Sequence, residues 1–137
     1  MNVRAFDPAD LDRIHLQPTQ AATRPLLGEH WGPELATAGP AYTAEEGGRI
    51  IACAGFLEGD RGALLWSFLC DRAPMRRLTK MARRLLEVHP YAKIVATTAV
   101  DFRPGCRWLE LLGFRAVEII PEMGVDGRDH WLYERIP

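Results

Sequence analysis

The chain has 137 residues, a length that suits one domain around one core. Its hydrophobic fraction of 47% and charged fraction of 26% are ordinary for a globular protein and speak against global disorder. A formal net charge of -1 excludes a whole-molecule polycation or polyanion, so a nucleic-acid or membrane role would need a local patch.

Residues 2–6 alternate weakly and predict a short strand. Asp7-Pro8-Ala9-Asp10 reads as a helix start. Asp7 can cap, Pro8 fits the first helical position, and Asp10 suits the positive end of the dipole. Leu11 and Ile14 give that helix its inward face. A second helix is expected around Thr19–Gly28, continuing loosely toward Ala38 with Pro33 as an interruption. Residues 41–46 read as a strand, Gly47-Gly48 as a hairpin turn, and Arg49–Leu57 as a nearly all-apolar strand covered on both faces. Glu58–Gly62 is a further turn, and Ala63–Cys70 a second apolar strand with Trp66 and Phe68.

The longest periodic segment follows. Leu78, Met81, Ala82, Leu85 and Leu86 make one stripe of a helix from about Met75 to Val88, which Pro90 ends. Lys93–Val100 is a β-branched strand. Pro104–Leu112 is a short helix, with Gly113 at the place of a left-handed cap. Ala116–Ile120 and His130–Ile136 are strands around a loop with an Asp126-Gly127 turn. The order β-α-α-β-β-β-α-β-α-β-β predicts an α/β domain over 1–137, with a mixed sheet and helices on both faces.

The three cysteines, Cys53, Cys70 and Cys106, form no CxxC pair, and an odd count is read as free thiols in a reducing compartment. The four histidines are scattered without ligand spacing, so no metal site is expected. The first residues carry no basic region followed by an apolar stretch, and no apolar run is long enough to span a bilayer. The expected location is the cytoplasm.

Arg72, Arg76, Arg77, Lys80, Arg83 and Arg84 crowd one stretch of 13 residues. They suit an anion site for a phosphate-bearing cofactor or for nucleic acid; they equally suit a solvated helix face. Asp71 and Asp101 end strands, where open α/β sheets place ligands, and either has the chemistry to take a proton from an amine. Either also suits a simple cap. Cys70 and Cys106 read mainly as buried thiols, with Cys106 also a candidate proton donor.

Three segments together resemble the GCN5-related N-acetyltransferase family. Val3-Arg4-Ala5-Phe6-Asp7-Pro8-Ala9-Asp10-Leu11 is similar to its first strand and helix start. Pro74-Met75-Arg76-Arg77-Leu78-Thr79-Lys80-Met81-Ala82-Arg83-Arg84-Leu85-Leu86 runs in the register of its cofactor motif. Trp108-Leu109-Glu110-Leu111-Leu112-Gly113-Phe114 looks like its late helix ending in Leu-Gly-Phe. The resemblance implies a mixed sheet splayed between the fourth and fifth strands. It also implies acetyl-CoA held by Arg72, Ala73, Arg77, Leu78, Thr79, Lys80, Met81 and Ala82, with pyrophosphate at the helix N-terminus. Backbone amides at the end of the fourth strand would polarise the thioester carbonyl. The early helices would line the acceptor side, bringing in Glu29, His30 and Trp31.

The chain departs from that pattern at several positions. Leu78 and Lys80 replace glycines. Leu109 stands where a proton-donating tyrosine is common, and Phe102 where an asparagine is frequent. The fourth strand offers Ser67 and Asp71 but no glutamate base. These departures resemble the acetyltransferase-like internal virion protein A family of short-tailed phages. That narrower resemblance implies a phage or prophage protein acting in virion assembly or host interaction, through a phage or host protein partner and in association with the virion. The open alternatives are an active N-acetyltransferase with an amine substrate and a nucleic-acid-binding module.

Overall fold

The computed structural model describes all residues, Met1–Pro137. The elements run β1 (Asn2–Ala5), α1 (Asp10–Arg13), a 3-10 helix (Pro18–Leu26), α2 (Gly32–Thr37), β2 (Ala41–Glu46), β3 (Arg49–Gly59), β4 (Gly62–Leu69), α3 (Met75–Val88), β5 (Ile94–Ala99), α4 (Arg103–Leu111), β6 (Arg115–Ile120) and β7 (His130–Arg135). The seven strands follow the order β1-β2-β3-β4-β5-β7-β6. They divide between two compact units, Met1–Glu58 with Leu65–Pro74, and Gly59–Leu64 with Met75–Pro137. No helix is long and apolar enough to cross a membrane.

In the first unit, β1, β2 and β3 form an antiparallel meander. Gly47 and Gly48 both take positive φ, 57° and 77°, which a two-residue hairpin turn of matching twist requires. Ile50–Phe56 is buried throughout except at Ala54, as an apolar run covered on both faces should be. Leu11 and Ile14 point inward as expected.

Asp10 stands in the first turn of α1, at the positive end of the dipole as expected. It is in addition a buried carboxylate, its side chain 3% exposed. It accepts from Arg4 Nη1 at 2.9 Å and Nη2 at 2.7 Å, the Asp7 amide at 3.0 Å and Thr43 Oγ1 at 2.6 Å. The expected helix over Thr19–Gly28 is instead a 3-10 run, and Pro33 opens α2 rather than interrupting a longer helix. A proline lacks the N–H that an interior position must donate, whereas the first turn does not need it. Arg24 ties this segment to α1 by donating to the Leu11 and Ile14 carbonyls.

In the second unit, β5 pairs antiparallel with β7, and β7 with β6. The start of β4 pairs parallel with β5 at Ala63↔Ile94 and Leu64↔Val95. α3 spans the predicted residues, with Leu78 and Leu86 buried. α4 closes on Gly113 (φ 95°): Phe114 N donates to Leu109 O at 2.9 Å and Gly113 N to Glu110 O at 3.0 Å. Both bonds need the left-handed residue that glycine supplies without strain.

Candidate functional site

α3 decides where an anion can meet backbone amides. The first four backbone positions of a helix, here Pro74–Arg77, have no acceptor for an N–H within the helix, and since Pro74 carries no N–H the amides left are those of Met75, Arg76 and Arg77. Met75, Arg76 and Arg77 are exposed, and the first turn holds no acidic residue. Arg76 stands at the positive end of the helix dipole, a placement that a bound anion would favour. With Leu78 and Lys80 in place of glycines, α3 runs from Met75 without a loop. The amides of Thr79, Lys80, Met81 and Ala82 therefore lie inside the helix and bond to its own carbonyls.

What those four residues offer a ligand is side chains. Lys80 is exposed, Met81 and Ala82 half-buried. Thr79 is engaged: its hydroxyl donates to Met75 O at 2.6 Å and accepts from Trp108 Nε1 at 2.9 Å, joining α3 to α4. Leu78 is buried. Of the expected set, Arg72 and Ala73 lie in the first unit, on the segment that follows β4. Arg72 is exposed and holds φ 54°, an unusual conformation for a non-glycine residue.

Asp71, also in the first unit, is exposed. Its backbone is fixed, the amide donating to His15 O at 2.8 Å and the carbonyl accepting from Arg49 Nη2 at 2.7 Å. Cys70 beside it is buried, and burial pushes its thiol above the usual range despite Arg49. That environment disfavours the thiolate a nucleophile needs.

The amide set at the end of β4 differs from expectation. Alternate residues of this strand bond to β3, as Cys70 N does to Ile51 O at 2.9 Å. The opposite edge, paired with β5 at its start, bonds past Leu64 to residues 15–20. Leu69 N donates to Gln20 Oε1 at 2.9 Å, and Ser67 O accepts from Gln20 Nε2 at 2.7 Å. Gln17 N donates to Leu69 O at 2.9 Å, beside a bridge between Leu16 and Cys70. Past Leu64, then, this edge of β4 pairs with residues 15–20 rather than continuing the β5 ladder. The amides of Leu69 and Asp71 are already bonded within the chain. Periodicity gave no hint of this, because a glutamine acting as a strand leaves no mark in the sequence.

In the second unit, Asp101 follows β5 and is 72% exposed. Arg128 Nη1 reaches it at 3.3 Å and Arg128 Nε reaches Asp126 Oδ2 at 2.7 Å. His130, which the scattered histidine pattern did not flag, heads β7 opposite Ala99 and Ile120. Its Nδ1 is buried without a hydrogen-bond partner. Burial and then Arg128 lower its pKa, against Asp126 and Asp101, so the neutral imidazole is favoured. Asp101, Asp126, Arg128 and His130 thus form one cluster able to hold or accept a proton.

The other departures have structural partners. Leu109 is buried, and Phe102 half-buried. Cys106 is half-buried with Sγ 3.8 Å from Ala99 O. Glu29 and His30 are exposed, while Trp31 stacks obliquely 6.3 Å from Phe68.

No protein-family model matches the chain, and no curated protein matches it. Solved structures do. A protein provisionally described as a phosphinothricin N-acetyltransferase shares 17% identity, with 98% of this chain and 97% of that one covered at a TM-score of 0.78. A spermidine N-acetyltransferase SpeG chimera from Vibrio cholerae and hSSAT shares 16%, covering 99% and 96% at 0.70. An IAA acetyltransferase from Bacillus cereus ATCC 14579 shares 14%, covering 99% of both chains at 0.70. The chain has the GCN5-related N-acetyltransferase fold.

Proposed function

We propose that the chain is an acetyl-CoA-dependent N-acetyltransferase acting on an amine. The observation that carries this reading is the start of α3, where first-turn amides and exposed basic side chains meet with no acidic residue in the first turn. Met75, Arg76 and Arg77 would bind the pyrophosphate through backbone N–H groups, and the side chains of Arg76, Arg77 and Lys80 would neutralise it. The bound cofactor would supply an acetyl group activated as a thioester. Asp101, with His130 beside it, is the group best placed in the second unit to take the proton an ammonium must lose before it is nucleophilic. Asp71 is the corresponding candidate in the first unit. Positioning of two reactants contributes much of such a rate, so Leu109 in place of a tyrosine is compatible with slow turnover.

Calorimetry with acetyl-CoA, coupled to a thiol-release assay with a panel of amines that includes spermidine, tests the reading. Micromolar binding with amine-dependent thiol release is expected; no binding at millimolar acetyl-CoA refutes it. A second reading, cofactor binding without turnover, is favoured by buried Leu109 and predicts binding with no thiol release for any amine. The virion role implied by the narrower resemblance finds no support among the acetyltransferases reported above. DNA binding by the α3 cations predicts steep salt dependence, and flat binding curves at low salt would exclude it.

A further inference from the structure

The edge of β4 beyond Leu64 is a run of backbone donors and acceptors on the side away from β3. In the first unit a side chain fills it. The Gln20 carboxamide donates to Ser67 O at 2.7 Å and accepts from Leu69 N at 2.9 Å. One N–H and one C=O, set against an acceptor and a donor two residues apart on a strand, reproduce what a neighbouring strand's peptide group would present. Gln17 Nε2 reaches Gln20 Oε1 at 3.1 Å, which fixes the orientation of the amide. Gln20 is nevertheless only half-buried. Its backbone is anchored independently, through its N–H to Gln17 O at 2.9 Å and its carbonyl from Thr23 Oγ1 at 2.6 Å. The side chain can therefore leave the strand without unravelling the turn that carries it.

We infer that Gln20 is a built-in competitor at an amide-recognition edge: its carboxamide occupies Ser67–Leu69 and swings aside when a ligand's secondary amide pairs there. This rests on the acetyl-CoA reading, because the pantetheine arm of that cofactor carries secondary amides of the chemistry this edge accepts. Strand edges generally bind extended amide-bearing ligands through main-chain hydrogen bonds. The exchange is nearly balanced in bond count, one amide for another. Its sign follows from removing the incumbent: a variant without the carboxamide leaves Leu69 N and Ser67 O open to the ligand.

Gln20→Met keeps length and packing and removes the amide. Acetyl-CoA affinity should tighten about tenfold, the scale of one net hydrogen bond. Pantetheine, which lacks the phosphates, should gain by the same factor, because the gain belongs to the amide edge and not to α3. Amide exchange at Leu69 should quicken in the ligand-free variant and slow again on adding pantetheine. Gln20→Ala and thermal melts of both variants separate the effect from loss of folding. Unchanged or weaker binding by a folded Gln20→Met protein overturns the role of Gln20 and leaves the cofactor reading standing. No binding by either wild type or variant overturns the cofactor reading, and the competitor role with it.

Discussion

Asp10 holds α1 against the meander, and α1 leads directly into the segment that covers β4. Replacing it by asparagine keeps the shape and removes the charge. In the folded chain burial alone would raise the carboxyl, but bonds from Arg4, Thr43 and the Asp7 amide outweigh it and bring the pKa down to about 2, from an ordinary 3.8. That depression corresponds to roughly 2 kcal/mol of stability at neutral pH. Arg4 is 31% exposed, so solvent screening makes that an upper figure. Because the folded-state pKa is depressed, the contribution is complete well above pH 3.8. It is about half lost by pH 3 and vanishes below pH 2. Urea titrations at pH 7, 5 and 3 should show wild type losing about 1 kcal/mol more than Asp10→Asn between pH 5 and 3. Asp10→Ala, which leaves Arg4 its bond to Glu45 but takes the acceptor from the buried Thr43 hydroxyl, should cost about 1–3 kcal/mol at pH 7. Parallel pH profiles for wild type and Asp10→Asn would refute the reasoning.

Thr79→Val should lower stability by about 1–2 kcal/mol in denaturant titrations, because Trp108 loses its acceptor, while leaving acetyl-CoA affinity unchanged. Leu109→Tyr should destabilise by about 1–3 kcal/mol in the same assay without restoring fast turnover, since that position is buried rather than open. Gly62→Ala should disrupt the start of the β4–β5 ladder. Its φ is 146° and a Cβ there would lie 2.0 Å from Lys93 O, so a large drop in melting temperature is expected. Arg76→Glu combined with Arg77→Glu should weaken acetyl-CoA binding at least tenfold by calorimetry, with a shallower salt dependence than wild type.

The legible parts of the fold are those where periodicity and burial agree. The α3 stripe from Leu78 to Leu86, the apolar run of β3 and the Gly113 cap each carry a local pattern that packing then uses. Residues 18–28 were illegible because no apolar period exists there. Their conformation is fixed by long-range bonds, Arg24 to α1 and Gln20 to β4. The start of α3 was legible in position: Pro74 and the apolar stripe located a helix that begins at Met75. Asp10 and His130 show a limit: a single polar residue in a sequence does not reveal whether it will be buried with partners or without them.

The central claim is that the start of α3 binds the phosphates of acetyl-CoA, and backbone amide NMR during a titration tests it most directly. Saturable shifts should concentrate at Met75, Arg76 and Arg77 and be abolished in the double arginine-to-glutamate variant. Absence of any shift at millimolar acetyl-CoA, or saturable shifts that bypass those three amides, would contradict it.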